Sequence, residues 1–257
     1  FIIKILFWLN IFIIIWAIIG YPLSLKLIWA IKKNRVSKYA VTDTVYCPTV
    51  TIMIVAHNEE KVIKEKLDNL IHINYPNDKL KIIVTSDCST DLTNSIVKDF
   101  AKTHSEYSIT LHETLEHKGK TNAQDEGQRL VSTEILVMTD ANSMFESDAI
   151  WKLDIWCREI ESNIQTITAG NGAIYACRNT EYKVVPPIRC HDSAMPLLYA
   201  LDQKRAVYCK DAIAYEKAGE NDGDEFKRKV RMNRGILEAI LPDLRILNMF
   251  KYKSSFN

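Results

Sequence analysis

Two hydrophobic patterns alternate along this chain. Short continuous apolar runs are separated by stretches in which apolar residues recur every three or four positions. Val50–Ala56 reads VTIMIVA, Leu80–Thr85 reads LKIIVT and Glu134–Thr139 reads EILVMT. Runs this short and rich in β-branched residues predict buried strands. Between them, 59–71 sets Val62, Ile63, Leu67, Leu70 and Ile71 at helical spacing, and 91–102 does the same with Leu92, Ile96, Val97 and Phe100. Asn74–Asp78 (NYPND) is turn chemistry. Tyr107–Leu111 predicts a third strand and Thr121–Leu130 a third helix, so Glu134–Thr139 is the fourth strand. Strand and helix in alternation predict an α/β fold with a parallel sheet and right-handed crossovers.

After Asn142 the rhythm changes. Helices are predicted over 148–162, 192–202 and 222–240, with Pro196 placed in the first turn of the second, where proline is tolerated. Short strands are predicted at Ala173–Cys177, after Gly170-Asn171-Gly172, and at Arg205–Cys209.

The first thirty residues differ from the rest. Ile5–Leu25 carries no charge and has Asn10 as its one strongly polar member. At about 1.5 Å per residue a run of this length crosses a hydrocarbon core of about 30 Å. Lys26, Lys32, Lys33, Arg35 and Lys38 follow it, against Lys4 alone before it. The positive-inside rule then puts the remainder in the cytoplasm. The run is long for a cleaved signal and no small-residue cleavage site follows it. Residues 236–257 (Ile236, Ile240, Leu241, Leu244, Ile246, Leu247, Met249, Phe250) read as a truncated amphipathic interfacial segment.

Composition narrows the function classes. A net charge of +1 and a pI near 7.7 argue against a nucleic-acid surface as the main business. The six cysteines are scattered without a CxxC pair, which argues against zinc and for reduced thiols. A hydrophobic fraction of 47% supplies a packed core.

Polar residues gather just after the predicted strands, where open α/β sheets bind ligands. Val55-Ala56-His57-Asn58-Glu59-Glu60 follows the first strand and can hold a base or phosphate, or simply cap the helix. Asp87, in Ser86-Asp87-Cys88-Ser89-Thr90-Asp91, can accept hydrogen bonds from a base or ribose, or belong to a cap. His117-Lys118-Gly119-Lys120 is a basic turn able to meet phosphate, or an ordinary solvated loop; it lacks the spacing of a P-loop. Asp140 and Asn142, one residue apart after the fourth strand, are hard oxygen ligands suited to Mg2+ or Mn2+ on a diphosphate, or a plain turn.

In this order, these motifs resemble the membrane-associated family 2 glycosyltransferases, which include cellulose, chitin, hyaluronan and poly-N-acetylglucosamine synthases. The resemblance runs from about Pro48 to Phe250. It implies a GT-A fold, Rossmann-like with a mostly parallel sheet flanked by helices, behind an N-terminal transmembrane helix. The expected divisions are a transmembrane helix over 1–31, a basic linker over 32–49, a GT-A domain over 50–235 (a nucleotide half 50–144, an acceptor half 145–235) and the interfacial segment 236–257. The implied activity is inverting transfer from a nucleotide-sugar, UDP-linked by family habit, to a glycan or lipid-linked acceptor. A truncated pseudoenzyme or membrane-tethered partner that keeps nucleotide binding is the alternative.

Carried over by residue, the resemblance assigns Ala56, His57, Asn58, Glu59, Asp87, Lys120 and Asp140 to the nucleotide. Asp140 and Asn142 match the metal-binding DxD element, with Asn in its second place. Gly170-Asn171-Gly172-Ala173 resembles the acceptor-side segment, and Asp192 the catalytic base. Arg228 and Arg231 in Arg228-Lys229-Val230-Arg231-Met232 resemble the QxxRW element that steadies the leaving diphosphate. The interval between Asn142 and Gly170 is short for the strand and approach helix usual there, so the strand is expected to be missing. Turnover of sugar, rather than binding alone, separates enzyme from pseudoenzyme.

Overall fold

The structure is a computed structural model that describes residues 2–16, 47–146, 173–186 and 189–202, together with 204, 206, 213–216, 230 and 234. The chain divides into two compact units, Phe1–Val41 and Thr42–Asn257.

In the first unit, helix α1 covers Ile2–Ile15. Its side chains are apolar nearly all round, and Phe7, Trp8 and Phe12 are exposed. At about 1.5 Å per residue its 14 residues span about 21 Å, short of a bilayer core. Among the described residues no helix is long and apolar enough to cross a membrane. The later part of the predicted span lies outside the described residues.

The second unit is built on a five-stranded sheet. Strands β1 (Val50–Ala56), β2 (Leu80–Ser86), β3 (Ser108–Glu113), β4 (Ile135–Asp140) and β6 (Ile174–Arg178) lie in the order β3-β2-β1-β4-β6. The first four are parallel and β6 runs antiparallel on the edge. All five strands of this sheet therefore fall within two residues of their predicted positions, and the sheet is mostly parallel as expected.

Alternation along β1 explains the layers. Ile52 and Ile54 face one side and pack with Leu67 and Leu70 of helix α2 (Ile63–Ile71) and with Val97 and Phe100 of helix α3 (Thr93–Thr103). Met53 faces the other side and joins Leu136, Met138, Ala194 and Met195, the last two from helix α5 (His191–Leu201). Helix α4 (Lys120–Gln128) lies on that second face. Fully burying each large apolar side chain contributes about 1.5–3 kcal/mol.

Helix α4 is seated by a glycine. A Cβ at Gly127 would stand 2.3 Å from Thr85 Oγ1 and 2.7 Å from Met53 Sδ. Helix propensity favours alanine over glycine by about 1 kcal/mol, yet overpacking costs about 1–3 kcal/mol or more. Gly127→Ala is expected to lower stability by up to about 2 kcal/mol net, read as a shifted urea midpoint; a stabilised variant would refute this packing.

Two expectations are corrected. The strand expected to be missing after Asn142 is present: β5, Ser143–Phe145, pairs antiparallel with β7, Ala214–Glu216. Three residues in direct continuation of an acidic turn carry too little periodicity to be read as a strand. Pro196 is not in the first turn, because α5 begins at His191 and Pro196 is its sixth residue. Lacking an N–H, it leaves the Asp192 carbonyl without its i+4 donor. The predicted helices 148–162 and 222–240 and most of the Arg205–Cys209 strand lie outside the described residues.

Candidate active site

Register brings the strand ends together. Ala56 pairs with Ser86, Val55 with Asp140 and Ser86 with Glu113, so β1, β2, β3 and β4 finish along one edge. The strand ends at that edge and the loops leaving it carry Ala56, His57, Asn58, Glu59, Asp87, Asp140 and Asn142.

The loops after β1 and β2 are laced together. Asn58 has φ +56°, a left-handed conformation that asparagine tolerates better than most residues. Its Oδ1 accepts the Thr90 N–H at 2.8 Å, and its own N–H donates to Ser89 Oγ at 3.1 Å. The Glu59 N–H donates to Thr93 Oγ1 at 2.8 Å and the Glu60 N–H to Asp91 Oδ2 at 3.0 Å. Asn58 therefore ties two loops together instead of capping α2, whose N-cap is Val62. Burial raises the Glu59 carboxyl above its usual range, and the Asp140 and Asp91 carboxylates push the same way.

Asp87 is buried at 1% exposure and holds the basic turn. It accepts the Gly119 N–H at 2.9 Å, the Lys118 N–H at 3.3 Å and the Thr114 hydroxyl at 3.4 Å, and meets His117 Nδ1 at 2.9 Å. His57 donates from Nδ1 to the Asp87 carbonyl at 2.6 Å, and its ring stacks on His117 with centroids 4.2 Å apart. The buried carboxylate thus fixes the start of α4. Gly119 sits there with φ +90°, which side-chain-bearing residues rarely adopt.

Lys120, the first residue of α4, ion-pairs with Asp140, the last residue of β4. Ala56 ends β1 and is buried, its carbonyl accepting the Asp87 N–H at 2.8 Å. Asn142 is half-buried two residues beyond Asp140. Among the described residues no cluster of three or more His, Cys, Asp or Glu could hold a metal alone. One carboxylate and one amide oxygen fit Mg2+ or Mn2+ in the mode where substrate phosphates complete the shell.

Asp192 is the second residue of α5, whose N-cap is Cys190. Burial raises its carboxyl above the usual range, the Lys120 ammonium opposes this and the Asp140 carboxylate adds to it. Asp192 thus shares a field with Lys120 and Asp140. The Thr121 hydroxyl donates to the Arg189 carbonyl at 2.7 Å, fastening α4 to the segment that leads into α5. Arg228 and Arg231 lie outside the described residues.

Several contributors were missed from the sequence. Lys66 is fully buried on α2 with its ammonium on Thr139 and Ser143, and burial pulls it down to about 7 against the Asp140 carboxylate. Its place on the stripe of Ile63, Leu67 and Leu70 was the available signal. Behind Asp192, Gln124 Nε2 donates to the Tyr175 hydroxyl at 2.8 Å, which stands 3.1 Å from His191 Nδ1. The His191 ring is thus within hydrogen-bond reach of the Tyr175 hydroxyl and stacks on Tyr182 with centroids 4.9 Å apart.

Burial pulls His191 from 6.5 down to about 4, so it is neutral in the fold. Between those values the unfolded chain binds the proton and the fold does not. The stabilisation from neutral His191 is complete above about pH 6.5 and lost as pH falls toward 4. The difference corresponds to about 3 kcal/mol. Urea unfolding at pH 7.5 and 4.5 is expected to show a smaller loss in His191→Phe than in the wild type; equal losses would refute the assignment.

The comparisons with known proteins fall on this same region. Glycosyl transferase family 2 matches residues 51–182, just over half of the chain. The chain belongs to this family. Curated relatives include a probable glycosyltransferase, YdaM, of Bacillus subtilis, 33% identical over 41% of this chain and 26% of its own length. A beta-monoglucosyldiacylglycerol synthase of Nostoc is 31% identical over 40% of this chain and 22% of its own length. A poly-beta-1,6-N-acetyl-D-glucosamine synthase of Staphylococcus epidermidis is 29% identical over 39% and 23%. The matches span about a quarter of these relatives' lengths.

Among solved structures, a mannosyltransferase of Pyrobaculum calidifontis in complex with GDP-Man and Mn2+ is similar at a TM-score of 0.75 and 25% identity, covering 90% of this chain and 73% of its own. TarS of Staphylococcus aureus, in complex with UDP-GlcNAc, shares the fold at a TM-score of 0.56 and 15% identity, over 68% and 60%. The family 2 membership and the sheet order agree with the GT-A-like α/β architecture expected from the sequence.

Proposed function

We propose that this family 2 domain transfers a sugar, with inversion, from a nucleoside diphosphate sugar to a glycan or lipid-linked acceptor. The observation that carries it is the gathering of Asp87, Lys120, Asp140 and the field of Asp192 at one sheet edge. The Asp192 carboxylate takes the proton of an acceptor hydroxyl. That oxygen bonds to the anomeric carbon as the bond to the diphosphate breaks. Lys120 stands where negative charge then builds on the leaving group. Asp140 and Asn142 would hold Mg2+ or Mn2+, which supplies further positive charge to the diphosphate when bound. Arg228 and Arg231 are assigned to the same charge by family resemblance.

The Nostoc and Staphylococcus relatives, named for a glucolipid and a polysaccharide, support an acceptor of that kind. The apolar helix Ile2–Ile15 and the basic residues after the run 5–25 support attachment to a membrane with the domain on its cytoplasmic side. A UDP-linked donor is the first reading. A GDP-linked donor is the second, favoured by the GDP-Man bound to the Pyrobaculum enzyme. Titration calorimetry with UDP and with GDP, each with and without Mn2+, tests both. Metal-dependent binding of one nucleotide chooses the donor. Binding of neither refutes the site, and binding without sugar turnover would make the chain a pseudoenzyme.

A further inference from the structure

Helix α2 directs two side chains, Lys66 and Asn69, at the segment on either side of the Asp140–Asn142 turn. Lys66 is 0% exposed. Its ammonium donates to Thr139 Oγ1 at 3.1 Å and to the Ser143 carbonyl, and lies 4.0 Å from the centroid of the Phe145 ring. One turn along, Asn69 brackets the backbone of Phe145: its Oδ1 accepts the Phe145 N–H at 2.8 Å and its Nδ2 donates to the Phe145 carbonyl at 3.0 Å. Thr139 lies just before the turn, and Ser143 and Phe145 just after it.

Packing does not call for a lysine here. A buried ammonium loses its hydration, and a methionine would fill a similar volume without that cost. Three contacts made by one cation, all to residues flanking a single turn, account for its presence. The asparagine one turn later makes a strand-like pair of hydrogen bonds to the Phe145 backbone, in addition to the pairing of β5 with β7.

We propose that Lys66 and Asn69 are positioning residues, a two-pronged brace from α2 that fixes the Asp140–Phe145 segment so that Asp140 meets the divalent cation and the donor diphosphate. The brace rests on the metal assignment proposed above. A site held loosely by its supporting residues loses function through small displacements, which gives the brace a measurable consequence.

Lys66→Met and Asn69→Ala, made in the full chain, test it through three readouts. Hydrogen exchange of the amides of 141–145, without metal, is expected to speed up about tenfold or more in Lys66→Met and by a smaller factor in Asn69→Ala. The Mn2+ concentration giving half-maximal UDP or GDP binding is expected to rise by about tenfold, with metal-free binding unchanged. The melting temperature of Lys66→Met is expected to equal or exceed that of the wild type, which separates positioning from general support of the fold. A folded variant with wild-type exchange and wild-type Mn2+ dependence overturns the brace. Should Lys66→Met fail to fold, Asn69→Ala decides by the same criteria, since alanine suits a helix interior. Wild-type nucleotide binding that ignores Mn2+ overturns the metal assignment, and this role with it. Metal-dependent wild-type binding with unaltered variants overturns the brace alone.

Discussion

Asp140→Ala is expected to abolish metal-dependent nucleotide binding, weakening it by roughly 100-fold or more, the upper end or beyond of what loss of a supporting group costs a metal site. The reason lies in the donor set. Asp140 brings the one carboxylate of the DAN turn, and its partner Asn142 brings a neutral oxygen. No other cluster of acidic or histidine side chains among the described residues can take over. The same change leaves the Lys120 ammonium without its ion pair. Binding measured in chelator should therefore hold steady or strengthen slightly, since a freed lysine suits a diphosphate. This opposite response separates loss of the metal site from collapse of the pocket. Calorimetry at fixed Mn2+ and in chelator reads both, and wild-type metal dependence in Asp140→Ala would refute the assignment.

The strand–helix alternation was legible because each of β1, β2 and β4 is a continuous apolar run between polar loops, and β1 and its neighbours are buried on both faces. The site was legible in outline because open α/β sheets bind ligands beyond the carboxyl ends of such runs, and polar motifs recur there in order. What the sequence hid is tertiary. Asn58 looked like a cap, but its Oδ1 is spent on Thr90, thirty-two residues away. Asp87 reads in sequence as a nucleotide contact or a cap, and nothing there shows that its buried carboxylate also organises the His117–Gly119 turn. Lys66 reads as one more charge on a surface helix until the strand it reaches is known. β5 and β7 escaped because a three-residue strand is defined by its partner rather than by periodicity.

Asp192→Asn is expected to retain metal-dependent nucleotide binding and to lose sugar transfer by about 10²–10⁴-fold, the usual contribution of a general base. Asparagine keeps the shape at the start of α5 but cannot accept a proton. The surroundings of Asp192 add a pH signature. Burial raises its carboxyl above the ordinary aspartate range, with Lys120 opposing and Asp140 assisting. A base must be deprotonated, so turnover should fall on the acid side at a higher pH than an ordinary aspartate would give. Removing the Lys120 charge should move that limb higher still, because the ammonium favours the carboxylate. Lys120→Met therefore shifts the acid limb of kcat upward while Asp192→Asn removes the rate itself. Initial-rate measurements across pH, with nucleotide binding followed in parallel, distinguish the two. Normal transfer by Asp192→Asn would show that another group takes the proton, and an acid limb unmoved in Lys120→Met would place Asp192 outside the field of that lysine.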